Sequence, residues 1–114
     1  MIKIYHNNRC SKSRCALAVL EESGQDFEVV NYLEAVPTVA ELTGIVEKLG
    51  IKAEELVRKT ETFYKEKYKG KILSEREWIL AMVENPILIE RPILVSGDKA
   101  VIGRPMEKVN DILS

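Results

Sequence analysis

The chain has 114 residues, 46% hydrophobic and 31% charged, and 17 basic against 18 acidic side chains give a formal net charge of −1. That balance excludes disordered and fibrous classes, gives no electrostatic case for nucleic acid, and allows a single domain, 1–114, whose core needs no cross-links. No apolar run nears the roughly 20 residues needed to span a bilayer, so no membrane association is expected.

Taken in chain order, Ile2 to Tyr5 is a β-rich run closed by His6-Asn7-Asn8. Ser11 to Ser23 is helical, with Ala16, Val19 and Leu20 on one face and Gly24 as the stop. Phe27 to Tyr32 is a second strand. Pro37-Thr38 opens a helix carrying Val39, Leu42, Ile45, Val46 and Leu49, and Gly50 ends it. Ala53 to Val57 is a short helix. Residues 58–71 are charged and aromatic without a clean period. Ser74-Glu75-Arg76-Glu77 is a capping box. The helix it starts carries Trp78, Ile79, Met82 and Val83, and Asn85-Pro86 ends it. Ile93 to Ser96 and Ala100 to Ile102 are strands joined by the Gly97-Asp98 turn. Pro105 suits the first turn of a last helix with Met106, Val109, Ile112 and Leu113. The order β-α-β, helical middle, β-β-α predicts an α/β fold: a four-stranded mixed sheet flanked by helices, with an inserted helical segment.

Residues 1–8, MIKIYHNN, contain no signal-peptide apolar region, and two cysteines in an unexported chain read as reactive or packing residues. A cytoplasmic location is therefore expected. Cys10 falls between the first strand and the first helix. There the free amides and the positive end of the helix dipole favour a thiolate, lower its pKa and could cradle an oxyanion. Arg9 and Arg14 add positive charge. The same position also suits a small packing cysteine. Cys15 follows five residues later, ~8 Å or more away in a regular helix, beyond the ~7 Å limit for a bridge. It reads as a packing residue beside Val19, with a resolving thiol as the alternative. His6 could orient or deprotonate groups near Cys10, or cap the strand. One histidine and two cysteines are too few for a zinc site, so no metal is expected. Arg58, Arg91 and Arg104 stand out by context, the last two because a following proline fixes the backbone that aims them. Their planar forks suit oxyanions, although spacing alone also fits solvated arginines.

These segments together resemble the glutaredoxin-coupled arsenate reductases. The resemblance rests on Ile4-Tyr5-His6-Asn7 with Cys10-Ser11-Lys12-Ser13-Arg14, on Tyr32-Leu33-Glu34 with Pro37-Thr38, and on Leu56-Val57-Arg58-Lys59. It continues through Asn85-Pro86-Ile87-Leu88-Ile89 with Arg91-Pro92-Ile93 and ends on Gly103-Arg104-Pro105. It implies a thioredoxin-like fold, Cys10 as nucleophile, and Arg58, Arg91 and Arg104 as oxyanion-binding residues. It also implies a cis proline at Pro92 and supporting roles for His6 and Arg14. The implied reaction reduces arsenate or a similar oxyanion through a cysteine-arsenic adduct. Glutathione is the implied thiol co-substrate, glutaredoxin the partner, and no cofactor is bound. A monomer is expected. Cys15 and Arg9 depart from the family pattern, and Cys15 raises the option of internal resolution. Related branches are glutathione-dependent thiol-disulfide oxidoreductases without arsenate activity and Spx-type regulators that bind RNA polymerase. The Spx switch uses C-x-x-C, whereas the spacing here is C-x-x-x-x-C.

Overall fold

Alternation in the first strand decides where the sheet buries its apolar face. The computed structural model describes residues 2–7, 10–103 and 111–113. β1 (Ile2–His6) sends Ile2 and Ile4 to one side, where they meet Ala16 and Leu20 of α1 (Ser11–Ser23), with Leu94 and Ile112. Val19, Phe27, Val101 and Leu113 are partly buried against that cluster. α1 stops at Gly24, whose φ of 74° is the left-handed conformation that glycine adopts without steric cost. β2 (Phe27–Asn31) pairs parallel with β1, from Ile2 opposite Phe27 to His6 opposite Asn31.

β3 (Ile93–Ser96) pairs antiparallel with β1, with Tyr5 opposite Ile93, and with β4 (Lys99–Ile102) on its other side. Gly97 alone of the two turn residues has positive φ, 59°, which fits a type II′ hairpin with glycine in the first central position. The order β2-β1-β3-β4 makes β1 and β3 the inner strands. This is the four-stranded mixed sheet expected from the element order. The last helix expected from Pro105 lies mostly outside the described residues.

The chain divides into two compact units. One comprises Met1–Ala35 with Arg91–Ser114 and carries the sheet; the other, Val36–Glu90, is the helical insertion between β2 and β3. In the insertion, α2 (Val39–Leu49) opens with Thr38 and Glu41 in a reciprocal capping box. Its buried Leu42, Ile45 and Val46 belong to the face that meets α4 (Glu75–Glu84), which is capped the same way by Ser74 and Glu77. A 3₁₀ turn, Ala53–Leu56, packs on both helices, and Ala53 donates its N–H to the Glu75 carboxylate at 2.8 Å. The stretch 58–71, without clear periodicity, contains a six-residue helix, α3 (Thr62–Lys67). Under two turns long and with no buried residue, it has no apolar stripe to read. Tyr64 in α3 and Tyr68 just after it lie against Trp78, with ring centroids 6.4 and 5.9 Å away. Among the described residues no helix is long and apolar enough to cross a membrane.

The cluster under the sheet yields a stability test. Leu20→Ala empties a fully buried site and should cost about 2–5 kcal/mol, read from the urea unfolding midpoint. Val29→Ala on the exposed edge of β2, where 42% of the residue is accessible, should cost under about 1 kcal/mol. Equal losses would contradict the placement of the core.

Candidate active site

Strand pairing brings the functional residues of the sheet unit to one end. β1 and β2 run parallel and their last paired residues are His6 and Asn31, so Asn7 and Tyr32 leave the two strands side by side. β3 runs the opposite way, with Ile93 opposite Tyr5; continuing that register sets Arg91 opposite Asn7. The Arg91–Pro92 bond is cis, as the resemblance implied for Pro92. Asn7, Tyr32, Arg91 and Pro92 are all buried.

The loop from β1 to α1 is tied at both ends. Asn7 donates its N–H to Ser13 Oγ at 3.4 Å, and Cys10 donates its N–H to the Asn7 carbonyl at 2.9 Å. Ser13 is fully buried. Cys10 therefore takes the N-cap position of α1 in extended conformation, and its carbonyl accepts from Arg14 N–H at 3.1 Å. A sulfur there stands where a capping serine or aspartate oxygen would. The first turn, Ser11-Lys12-Ser13-Arg14, holds no acidic side chain to compete for the helix terminus. The Cys10 amide is committed to Asn7, so it is not among the free amides at this helix terminus.

Arg91 joins the cluster together. Its guanidinium hydrogen-bonds the Cys10 sulfur and the Tyr32 hydroxyl, and Asn7 hydrogen-bonds that same hydroxyl. Burial works to lower the pKa of Arg91, but Tyr32 and Cys10 outweigh it and hold the guanidinium more firmly cationic. Burial raises the pKa of Tyr32, against the pull of Arg91 and Asn7, so it remains a neutral phenol. Arg91 thus sets a positive charge against the Cys10 sulfur.

His6 is buried at the end of β1. Desolvation lowers its pKa and the Arg14 charge adds to that, while a hydrogen bond to the Ser13 backbone opposes both. Its Nδ1 has no hydrogen-bond partner among the described residues. His6 is thus a neutral imidazole at neutral pH, and Arg14, exposed on α1, acts on it through charge.

Arg58 belongs to the helical unit. It follows an isolated bridge between Val57 and Ile89, donates its N–H to Leu88 O at 2.6 Å, and pairs with Glu90 at 3.5 Å. Arg104 and Arg9 lie outside the described residues. Gly103, just before Arg104, donates to Pro92 O at 2.9 Å. The packing role expected of Cys15 does not hold, because Cys15 is exposed. It lies about 100° round the helix from Ala16, which anchors the buried stripe. No disulfide joins it to Cys10. Among the described residues, no three His, Cys, Asp or Glu side chains group as a metal site. Sequence reasoning overlooked Tyr32, Asn7 and Ser13 as site residues. The signal available was a polar residue one step past each of two strands, which becomes meaningful only once the strands are paired.

The depressed His6 pKa predicts a pH window. Below the ordinary value of 6.5 the unfolded chain takes up a proton at this position and the folded chain does not. Stability should therefore fall as pH drops through about 6.5 and be unaffected by this group above it. Urea midpoints at about pH 7.5 and 5.5, a window above most carboxylate titration, should show a smaller loss for His6→Gln than for wild type. Equal losses would remove His6 as the cause.

Comparison with known proteins places this arrangement among relatives. The ArsC family pattern matches residues 5–112. The YfgD protein of Escherichia coli (strain K12) is 50% identical over 98% of this chain and 96% of its own length. The arsenate reductase of Haemophilus influenzae is 45% identical, over 96% of this chain and 97% of its own. The solved structure of the arsenate reductase from Vibrio cholerae superposes with a TM-score of 0.93 at 45% identity, covering 98% of this chain and 97% of that one.

Proposed function

This chain belongs to the ArsC family, and from that membership we propose that it is a thiol-dependent arsenate reductase with Cys10 as its nucleophile. The observation that carries the reading is the hydrogen bond from the buried Arg91 guanidinium to the Cys10 sulfur at the N-terminus of α1. That pairing supports an ionised, oriented nucleophile beside a fork of donors suited to an oxyanion.

In the proposed reaction the Cys10 thiolate attacks arsenic(V). A sulfur–arsenic bond forms, and one arsenate oxygen leaves as hydroxide and takes a proton to become water. Arg91 holds oxygens on which negative charge accumulates; by the family resemblance, Arg58 and Arg104 complete that set. The thiolate of glutathione then attacks the Cys10 sulfur. A sulfur–sulfur bond forms, the electron pair of the broken sulfur–arsenic bond stays on arsenic, and arsenite leaves as arsenic(III). Glutaredoxin takes over the glutathionyl sulfur and releases Cys10 as thiolate. No metal or organic cofactor enters these steps, and cytoplasmic thiols supply the electrons. Cys15 is not required: reaching Cys10 from inside α1 would demand unwinding of the first helical turn.

The deciding experiment measures arsenite formed by purified protein with glutathione and glutaredoxin, beside a thioredoxin-coupled control. The expected outcome is turnover with glutaredoxin, abolished in Cys10→Ser and retained in Cys15→Ser. Reduction of mixed disulfides without arsenite formation would favour the plain thiol-disulfide oxidoreductase. A Cys10–Cys15 disulfide after one turnover without glutathione would give Cys15 the resolving role. Arg91→Ala should lower kcat/KM by ~10²-fold or more, comparable to losing an oxyanion donor. Unchanged kcat/KM would return Arg91 to a structural role.

A further inference from the structure

A guanidinium that touches a sulfur can do so in many orientations, and the buried cluster limits them. Arg91 contacts both the Cys10 sulfur and the Tyr32 hydroxyl, while its buried Nε and Nη1 make no hydrogen bond to the described residues. Because the guanidinium is planar and its N–H groups are fixed in a fork, the acceptor at one position sets the direction of the remaining donors. Tyr32 is well suited to be the fixed partner. The residue is 1% exposed, and its backbone directly follows β2, whose parallel register with β1 places it next to Asn7. The Asn7 side chain holds the hydroxyl from a second direction, and the Asn7 backbone anchors the loop that carries Cys10. The chain of contacts is closed: Cys10 to Asn7 through the backbone, Asn7 to Tyr32, Tyr32 to Arg91, and Arg91 back to Cys10.

We propose that Tyr32 is a positioning residue for the Cys10 nucleophile, its hydroxyl holding the Arg91 fork so that one N–H stays on the sulfur. Tyr32 acts through Arg91 and takes no part in bond making. The hydroxyl carries no charge, so its influence is orientational, and it vanishes when the guanidinium is gone. Among the described residues, the charged or titratable groups acting within this cluster are His6 from β1, Arg14 from α1, Arg91 ahead of β3, and Cys10 itself. None of the other three is altered in Tyr32→Phe, which keeps the ring and removes one oxygen.

The inference rests on Cys10 being the nucleophile of the proposed function, and its test needs no arsenate. In a Cys15→Ser background, iodoacetamide alkylation of Cys10 is followed by mass mapping from about pH 5 to about pH 9. Four proteins are compared: the parent, Tyr32→Phe, Arg91→Ala, and the double variant. Tyr32→Phe should move the rate profile to higher pH by about half to one unit, slowing alkylation roughly three- to ten-fold on the rising, low-pH limb of the profile. Arg91→Ala should slow it at least as much, and the double variant should match Arg91→Ala alone. An unmoved profile in Tyr32→Phe overturns the proposal, even with a lowered melting temperature, because a merely structural tyrosine would give that result. Additive slowing in the double variant overturns it as well. If Tyr32→Phe does not fold, Asn7→Ala releases the hydroxyl from its other partner and should move the profile the same way by a smaller amount; no movement overturns the proposal. Alkylation as expected with no arsenite formed would sink the arsenate reading and leave Tyr32 in its role.

Discussion

Arg91 carries a charge that it cannot shed by losing a proton, and only 8% of the residue is exposed. Burying such a cation is unfavourable unless acceptors, preferably anionic ones, surround it. The acceptors beside it are a sulfur that can ionise and a phenol that does not, and Nε and Nη1 make no hydrogen bond to the described residues. A thiolate at Cys10, as the proposed function requires, would be the acceptor that offsets this charge best. Arg91, two residues ahead of β3, thus sets its charge against a sulfur at the start of α1.

The geometry that allows this comes from the order of the strands. β1 lies between a parallel neighbour and an antiparallel one. The outgoing ends of β1 and β2 and the incoming end of β3 therefore share one edge of the sheet. A polar residue one or two positions beyond the ladder on each strand is carried to the same place without any dedicated loop. The alternation that buries Ile2 and Ile4 under α1 fixes the register, since a slip of one residue would turn the apolar face outward and separate Asn7 from Tyr32. Core packing and site assembly are in this sense one constraint.

The order of elements was legible because most of them announce themselves locally. Ser74 and Glu77 cap α4, Gly24 and Gly50 end helices at left-handed φ, and Gly97 turns the last hairpin. Cys10 was legible for the same reason, since a strand ending in polar residues and a helix starting at Ser11 bracket it. Arg91 drew notice through its proline, and the resemblance gave it a role that spacing could not. Tyr32 reads from the sequence as the end of a strand and as part of the Tyr32-Leu33-Glu34 segment of the resemblance, with no role at the site. Its burial and its hydrogen bond to Arg91 depend on two registers and on residues separated by the whole helical insertion. Cys15 misled because closeness to Val19 suggested the apolar face, whereas Ala16 and Leu20 centre that face farther round the helix. α3 went unread because it is held by aromatic rings on Trp78 and has no stripe of its own.

If Cys10 cycles as proposed, its pairing with a permanent cation would couple the redox history of the protein to its physical state. Alkylation, glutathionylation or any disulfide at Cys10 leaves a neutral thioether or disulfide where a thiolate could form, while the guanidinium stays charged. The capped protein then holds an uncompensated cation in a nearly closed place, and small anions from solution become its natural counterions. Capped and uncapped samples should differ in their response to salt composition as well as in thiol content. Phosphate or sulfate in a buffer would steady the capped form and compete with the sulfur in the resting one, so the identity of the buffer anion becomes a variable of the molecule itself.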